Sequence, residues 1–277
     1  MDNAGFLEDV GATALGVARV RAEESHRADR LFRDPYAEAF LAAAPGTLPE
    51  SHSVGVGDLA EIGVAFFFHG IIRTRFFDDY LQAAARAGCR QVVLLAAGLD
   101  TRAFRLSWPD KTRLFELDTP AVLGFKHCVL DEHGAAPRCD RRPVEVDLRH
   151  DWASALASSG LDAAQSTAWL AEGLLTYLTA EEAHQLLTTV RVLSAPGSQL
   201  ALEGDAAVAP SILAQARQLP AMQRFTALWK GGLGADPAHW LLDHGWTTQT
   251  HDLHELAAAY SRPAPTSAEG RLITAGR

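Results

Sequence analysis

Acidic residues recur at the ends of short apolar segments in the middle of this sequence. The segment VVLLAAG at 92–98 is followed closely by Asp100, and three later apolar segments carry acids in the same place. These acids are Asp100, Glu116, Asp118, Asp147 and Glu172. Ligands of an open parallel sheet bind beyond the carboxyl ends of its strands. If the apolar segments are strands of such a sheet, the acids line one polar cleft.

A glycine and an acid at neighbouring strand ends suit a ligand that contains a nucleoside. Gly98 would let a ligand approach the backbone closely, and a carboxylate beyond the second strand, such as Asp118, can accept both ribose hydroxyls. The fuller G-x-G-x-x-G pattern of dinucleotide sites is absent from this region. That absence argues against a nicotinamide cofactor.

Each acid also has a purely structural interpretation. Asp100 could cap a helix that begins at the next residues, and Asp147 could cap the turn that follows it. Glu116 and Asp118 alternate on an apolar strand, so one of them could simply face solvent. Glu172 is harder to explain in this way, because a carboxylate among apolar neighbours is costly unless a cation pairs with it.

Strand and helix signals alternate from residue 88 onward. Five strand candidates are separated by segments long enough for crossover helices, and two more lie near the C terminus. The strand candidates are 91–98, 112–118, 142–148, 167–173, 198–205, 246–253 and 271–277, and the crossover helices are expected at 119–133, 151–159 and 179–194. This alternation predicts an α/β fold with a mostly parallel sheet and right-handed crossovers.

Two helical regions precede the first strand candidate. Residues 11–44 have helical spacing with a break at Asp34-Pro35, and residues 59–86 are helical again. Between them, residues 45–58 are rich in turn formers and predict a mobile loop. Five phenylalanines of the second region could form a lid that excludes water, or ordinary core. They are Phe66, Phe67, Phe68, Phe76 and Phe77.

Composition limits the classes of partner. The chain has 277 residues, is 48% hydrophobic and carries a formal net charge of -9 at pH 7. These values predict one large domain, and the acidic balance disfavours nucleic acid or an anionic membrane as a partner. A small-molecule substrate fits better, and the sequence leaves a homo-oligomer open.

The cysteines and the N terminus predict a cytoplasmic protein without a metal site. Cys89, Cys128 and Cys139 have neither metal-type spacing nor an even number for disulfides. The first 25 residues lack the pattern of a secretory signal, and no segment has the 18 or more apolar residues of a membrane span.

Five segments taken together resemble one known family. They are IRTRFFDD, LLAAGLDTRAFRL, FELDTP, VEVDLRHDW and WLAEGLLTYLT. They resemble the leucine carboxyl methyltransferase family of S-adenosylmethionine-dependent enzymes, and most closely its bacterial branch with polyketide carboxyl methyltransferases of the tetracenomycin type. The resemblance extends from DPYA at 34–37 through the helix after the fourth strand.

The family resemblance implies a fold and a division of the chain. The expected fold is the Rossmann-like class I methyltransferase fold, a seven-stranded mostly parallel sheet with helices on both faces and an N-terminal helical lid. Residues 1–88 would form the helical cap, and residues 89–277 would form the S-adenosylmethionine-binding domain. An insert at about 206–245 would shape the substrate pocket together with the cap.

The resemblance also implies roles for single residues at the methionine end of the cofactor. Arg73 matches the arginine that pairs with the methionine carboxylate, which suits a guanidinium. Gly98 matches the glycine under the methionine portion, and Glu172 matches the acid near its amino group. Asp100 is expected beside them as a further cofactor-binding residue. Tyr177 lies where substrate and cofactor would meet, although it could equally be a packing residue.

At the adenosine end, the resemblance assigns residues of the second and third strands. Asp118 matches the acid that binds the ribose, with Glu116 as its near neighbour. Asp147 and Leu148 match the pair that recognises adenine, in which the carboxylate accepts from the exocyclic amine and the leucine covers the ring.

The implied reaction is in-line transfer of the sulfonium methyl group to an oxygen. A carboxylate acceptor is already ionised near neutral pH and needs no base, whereas a phenol normally needs one. Two histidines are close to the matching motifs, His150 within VEVDLRHDW and His69 just before IRTRFFDD, and both are expected to be structural or exposed. The sequence therefore favours formation of a methyl ester on a small molecule such as a polyketide.

Four other functions stay open at this stage. Two differ only in the acceptor, which would be a hydroxyl or phenol, or the C-terminal carboxylate of a peptide. The third is an NAD-dependent oxidoreductase on a similar sheet, and the fourth is a non-catalytic binding protein with a degenerate cofactor pocket.

Overall fold

One seven-stranded sheet organises the chain. The computed structural model describes residues 10–47, 58–204, 218, 226–234 and 236–277. The strands are β1 (Gln91–Leu95), β2 (Arg113–Asp118), β3 (Asp140–Glu145), β4 (Thr167–Ala171), β5 (Gln199–Glu203), β6 (Thr247–Asp252) and β7 (Arg271–Gly276). Their order in the sheet is β3-β2-β1-β4-β5-β7-β6.

Helices connect these strands and precede the sheet. They are α1 (Val10–His26), α2 (Ala37–Ala43), α3 (Asp58–Arg86), α4 (Arg102–Arg105), α5 (Pro120–Glu132), α6 (Trp152–Ser158), α7 (Ala180–Val192), α8 (Pro237–Asp243) and α9 (Leu253–Ala259), with a 3₁₀ helix at Leu175–Tyr177. Among the residues that the structure describes, no helix is both long and apolar enough to cross a membrane.

The mostly parallel sheet predicted from the sequence is confirmed. β2 pairs in parallel with β1 and β3, and β4 pairs in parallel with β1 and β5. The strand β7 pairs antiparallel with both of its neighbours, β5 and β6. The strand order reverses between β1 and β4, where an open α/β sheet binds its ligand.

The strands have the composition that their places in the sheet require. The central strands β1 and β4 are buried along their whole length, as is usual when helices cover both faces. The edge strand β3 (DRRPVE) is largely exposed and contains Pro143, which an edge tolerates. The prediction of 142–148 for this strand was wrong by about two residues, because β3 stops at Glu145, opposite the last residue of β2, Asp118.

Helices pack on both faces of the sheet, as expected. On one face, α1, α2, α3 and α5 share an apolar cluster with the sheet, and on the other α6, α7 and α8 do so. Representative members are Leu15, Phe40, Phe77, Phe125 and Leu94 on the first face, and Trp152, Leu187, Leu241, Phe115 and Trp169 on the second. The N-terminal helices thus share a core with the sheet. Their separation as a cap of residues 1–88 stays a prediction.

The phenylalanines of α3 differ in burial, and three of the five belong to core clusters. Phe76 and Phe77 are buried in the first core cluster, and Phe68 is buried in a smaller cluster with α9. Phe66 is only partly buried and packs against Trp229, with ring centroids 6.0 Å apart. Half of the predicted insert, at 206–217, 219–225 and 235, and residues 48–57 of the predicted loop lie outside the described residues.

A buried ion pair fixes α1 against the turn that follows β1. Arg21 donates from Nε to Asp34 Oδ2 over 2.8 Å and from Nη2 to the carbonyl oxygen of Leu99 over 2.6 Å. The hydroxyl of Thr101 donates to the same Asp34 oxygen over 2.8 Å. Asp34 is 3% exposed. The N-terminal helix therefore helps to position the turn that carries Gly98 and Asp100.

Replacement of Asp34 by alanine should strongly destabilise the fold. Arg21 would lose its carboxylate partner while it stays buried, and such losses cost about 3–5 kcal/mol. We expect urea unfolding to show this decrease in the free energy of unfolding. Asp29→Ala is the matched control, because Asp29 lies in the same connection with a largely exposed side chain. Equal effects of the two substitutions would contradict the interpretation.

Candidate active site

A sharp turn after β1 brings the backbone into the cleft between β1 and β4. Ala96 and Gly98 both have positive φ, +54° and +50° respectively. A Cβ on Gly98 would lie 3.5 Å from Ala14 Cβ, which is an ordinary contact, so φ rather than space favours glycine here. The N–H of Gly98 donates to Asp118 Oδ2 over 2.7 Å. The first and second strand ends are thereby joined at the positions expected from the sequence.

The Asp118 carboxylate is held by the backbone at the end of β2. Its second oxygen accepts the N–H of Thr119 over 2.7 Å. Burial raises the pKa of Asp118, although the two N–H donors and the charge of Lys126 oppose this. The side chain is still partly exposed, so a ligand in the cleft can reach it.

Two arginines share the carboxylate of Glu172 after β4. Arg73 donates from Nε to Oε1 over 3.0 Å, and Arg102 donates from Nη1 to Oε2 over 2.7 Å. The pKa of Glu172 is lowered, because the charges of Arg102 and Arg73 outweigh the effect of burial. The sequence predicted that Glu172, a carboxylate among apolar neighbours, needs a cation. The structure supplies two guanidinium groups, and one of them belongs to Arg73, a predicted cofactor-binding residue.

Asp100 joins Glu172, Arg73 and Arg102 in one ion-pair cluster. Its carboxylate pairs with the Arg102 guanidinium and also accepts the N–H of Arg102 over 2.6 Å. Burial alone would raise the pKa of Asp100, but the charges of Arg102, Lys126 and Arg105 bring it down to about 2. The first residue before α4 is Thr101, so Asp100 is not its N-cap residue.

Glu203 and Asp78 complete this cluster, and the sequence reasoning missed both. Glu203 ends β5, pairs with Arg73 Nη1 and accepts the N–H of Gly173 over 3.1 Å. Asp78 on α3 accepts Arg102 Nε over 2.6 Å and Arg105 Nη2 over 2.7 Å. Glu203 could have been found, because it ends a parallel strand as Asp118 does. Asp78 gave no comparable signal.

Glu116 is a predicted cofactor-binding acid that the structure does not bring to the cleft. Its buried Oε2 lies 2.8 Å from Lys126 Nζ and accepts Arg141 Nη2 over 2.7 Å. Glu116 and Asp118 point to the same face, but Glu116 lies two residues, roughly 6.6 Å, further from the strand end. That distance places it under α5 rather than in the cleft.

Asp147 and Leu148 occupy the turn after β3. Arg149 donates to Asp147 through its backbone N–H over 2.9 Å and through its guanidinium Nη2 over 2.5 Å. These hydrogen bonds, opposed only in part by burial, lower the pKa of Asp147 to about 2. Leu148 packs against the second core cluster. Both side chains are partly exposed.

Tyr177 lies in the 3₁₀ helix after β4, with a partly exposed side chain. It interacts electrostatically with Arg73. The segment 226–234 packs on this short helix, and Lys230 N–H donates to the carbonyl oxygen of Thr176 over 2.8 Å. Tyr177 is therefore near Arg73 and partly accessible to solvent.

The family follows from comparison with known proteins. Residues 14–191, more than half of the chain, match the leucine carboxyl methyltransferase family. The protein belongs to this family. It is an S-adenosylmethionine-dependent methyltransferase with the class I fold expected from the sequence.

Relatives in actinobacteria agree with this assignment. A Parafrankia protein, provisionally named an S-adenosyl-L-methionine-dependent methyltransferase, is 51% identical over 271 residues, 97% of this chain and 87% of its own. A Streptomyces coelicolor protein with the same provisional name is 47% identical over 277 residues, 97% of this chain and 95% of its own.

Solved structures include one similar methyltransferase with a bound cofactor product. It is the magnesium protoporphyrin IX methyltransferase of Synechocystis with S-adenosylhomocysteine, 13% identical, with a TM-score of 0.49. The alignment covers 94% of this chain and 99% of that chain.

One histidine of the methyltransferase lies beside the cluster. His69 on α3 is 2% exposed, one helical turn before Arg73, and its Nε2 has no hydrogen-bond partner within the described residues. Burial, together with the positive charge of Arg73, lowers the pKa of His69 to about 3. The imidazole is therefore neutral at physiological pH. His150 is exposed and lies near Asp147.

The cleft of the methyltransferase fits S-adenosylmethionine, its cofactor. The hydrogen bonds of Arg73 within the described part of the chain use Nε and Nη1, so Nη2 has no hydrogen-bond partner there. The turn at Gly98 offers close backbone approach, and Asp118 offers a partly exposed carboxylate. Among the described residues, no group of three or more metal-ligating side chains could hold a metal ion.

Because of this cluster, we expect the free energy of unfolding of the methyltransferase to decrease at acidic pH. Asp100 has a pKa of about 2 in the folded state and 3.8 as an ordinary aspartate, so it stabilises the fold above pH 3.8 and stops doing so as the pH falls towards 2. We expect the stability difference between wild type and Asp100→Asn to shrink by about 1 kcal/mol between roughly pH 5 and pH 3. Urea unfolding at each pH measures it, and a constant difference would refute the assignment.

Proposed function

We propose that this methyltransferase forms methyl esters on carboxylates of small molecules, in the cleft beyond β1, β2 and β4. The observation that carries the choice of acceptor is the neutral His69 beside Arg73. With a pKa of about 3 it is too weak a base to ionise a phenol, whose own pKa is near 10. A carboxylate is already ionised and needs no base.

Residues of the switch point would bind the methionine end of the cofactor. Arg73 would donate from Nη2 to its carboxylate, and Glu172 would pair with its ammonium group. Gly98 lies beneath the methionine chain, and Asp100 fixes Arg102, which in turn holds Glu172 in place. These roles follow from the family resemblance, and the ion pairs around Arg73 support them.

Residues after β2 and β3 would bind the adenosine end. Asp118 accepts the ribose hydroxyls, Asp147 accepts from the adenine amine, and Leu148 covers the ring. The partial exposure of all three side chains supports this assignment. Glu116 is left out, because its carboxylate is buried with Lys126 and Arg141.

The protein's own contribution to the reaction is alignment and exclusion of water. Bound S-adenosylmethionine supplies an electrophilic methyl group on a sulfonium, and the acceptor oxygen must lie in line with it. Orientation of this kind supplies roughly 7–11 kcal/mol in favourable cases. Tyr177 and the ring pair of Phe66 and Trp229 would bound the acceptor side of the cleft, together with the cap of residues 1–88 and the insert at 206–245.

The ribose assignment predicts a loss of cofactor affinity. Asp118→Asn removes the charge that accepts the ribose hydroxyls, and a hydrogen bond to a charged group contributes about 1.5–3 kcal/mol. We expect S-adenosylhomocysteine to bind roughly ten-fold or more weakly by isothermal titration calorimetry. Asp131→Asn, on the exposed side of α5, is the control and should bind as the wild type does. Undiminished affinity of Asp118→Asn would remove the ribose role.

The acceptor assignment predicts the chemical nature of the product. With methyl-labelled S-adenosylmethionine and a panel of aromatic acids, phenols and short peptides, label should enter the aromatic acids and be released as methanol by mild alkali. Heat-treated protein is the blank. A labelled product that resists mild alkali would be an ether, and the acceptor would then be a hydroxyl group. Label in the peptides would mean that the acceptor is a peptide C-terminal carboxylate.

A further inference from the structure

Glu203 stands apart from the other acids of the cluster by its position and its partners. It ends β5, on the far side of β4 from Gly98 and Asp118. Its carboxylate accepts from Arg73 Nη1 and from the N–H of Gly173, whose φ of +62° turns that N–H towards β5. Arg73 is its only ion-pair partner within the described residues, and Arg73 is shared with Glu172.

Within the described part of the chain, the charges of the cluster do not balance. Its ion pairs there connect four carboxylates with three guanidinium groups, so this set of paired groups has one negative charge in excess. The carboxylates are Asp78, Asp100, Glu172 and Glu203, and the guanidinium groups are Arg73, Arg102 and Arg105. Uncompensated charge in a buried site is unfavourable, so a bound cation or a proton stabilises this arrangement.

The two forms of the cofactor differ by one charge. S-Adenosylmethionine carries a sulfonium, an ammonium and a carboxylate, so its net charge is one positive unit. When its methyl group moves to the acceptor oxygen, the sulfur keeps the bond electrons and becomes a neutral thioether, and the cofactor product has no net charge. The methyl donor therefore balances the cluster, and the product leaves it one negative charge in excess.

We propose that Glu203 supplies this uncompensated charge, so that the site prefers the sulfonium donor and takes up a proton from solvent when it holds the demethylated product. The proposal rests on the cofactor site proposed above. Glu203 is a specificity-determining residue in this scheme, acting on the cofactor's charge, and Arg73 remains the residue that contacts the cofactor.

The surroundings of Glu203 support proton uptake at this residue. Burial raises the pKa of Glu203, the repulsion of Glu172 adds to this, and Arg73 opposes it only in part. Among the described residues, His69 on α3, which is neutral, and Tyr177 on the 3₁₀ helix also interact electrostatically with Arg73. On the neighbouring strand β7, the apolar Leu272 lies opposite Glu203. Glu172 differs because two guanidinium groups hold it ionised.

Calorimetry on the full-length protein tests the proposal without any acceptor. Binding of S-adenosylmethionine and of S-adenosylhomocysteine is measured near neutral pH in two buffers of different ionisation enthalpy, which gives the number of protons taken up. We expect the number of protons taken up on binding S-adenosylhomocysteine to exceed the number taken up on binding S-adenosylmethionine, because only the donor brings a positive charge that balances the cluster. Equal uptake for the two ligands in the wild type would overturn the proposal, whatever the variants do.

The variant Glu203→Gln keeps the size of the side chain and an oxygen for Arg73 while removing the charge. We expect it to abolish the extra proton uptake and to reduce the preference for S-adenosylmethionine on the order of ten-fold, as for a unit charge acting over about 10 Å in a protein environment. Glu145→Gln, exposed on the edge strand, should keep both properties of the wild type. If Glu203→Gln keeps the wild-type preference for S-adenosylmethionine and the wild-type proton uptake, the proposal is wrong.

The result also separates this proposal from the proposed cofactor site. If Asp118→Asn binds S-adenosylhomocysteine as well as the wild type does, the site itself is misassigned. If Asp118→Asn binds weakly while the two ligands cause the same proton uptake in the wild type, the site stands and only the role of Glu203 fails.

Discussion

Several carboxylates of this molecule are buried at the end of an apolar sheet, and the fold depends on how their charges are neutralised there. Each buried acid at the switch point needs a cation with good geometry, because an unpaired one would cost several kcal/mol. Arg73 and Arg102 meet that need for Glu172, and Arg102 also meets it for Asp100. Arginine suits the task, since a guanidinium has several donors in fixed directions and stays charged when buried.

The same requirement explains how the N-terminal helices are placed. Arg73 and Asp78 both belong to α3. Arg73 pairs with Glu172 beyond the end of β4, and Asp78 pairs with Arg102 and Arg105 of α4. Together with the pair of Arg21 and Asp34, these contacts set α1 and α3 against the cleft as well as against the core. Ion pairs and apolar packing together fix the positions of these helices. Because Arg21 of α1 also contacts the turn at Gly98, that turn has little freedom to move.

The sequence was sufficient for most of the sheet and for part of the cleft. Apolar runs separated by helical segments predicted β1, β2, β4 and β5 within a few residues, because buried strands are distinct in composition. It could not show that Glu116 and Asp118, two residues apart on one strand, have different partners. That difference depends on where α5 covers the sheet, and Lys126 is the residue that decides it.

The ion-pair partners were also beyond reach of the sequence, since they join residues far apart in the chain. Arg102 and Glu172 are 70 positions apart, and Arg73 and Glu203 are 130 apart. A strand end can be recognised locally, but the cation that neutralises it cannot.

The proline in β3 has a consequence for how molecules of this protein can associate. An incoming strand from another copy would meet a residue without an N–H, flanked by the charged side chains of Asp140 and Arg142. Backbone pairing across that border would therefore be interrupted and would require desolvation of ions. Fibrous growth by continuation of the sheet is disfavoured on this side, so a regular assembly would use the helical faces there.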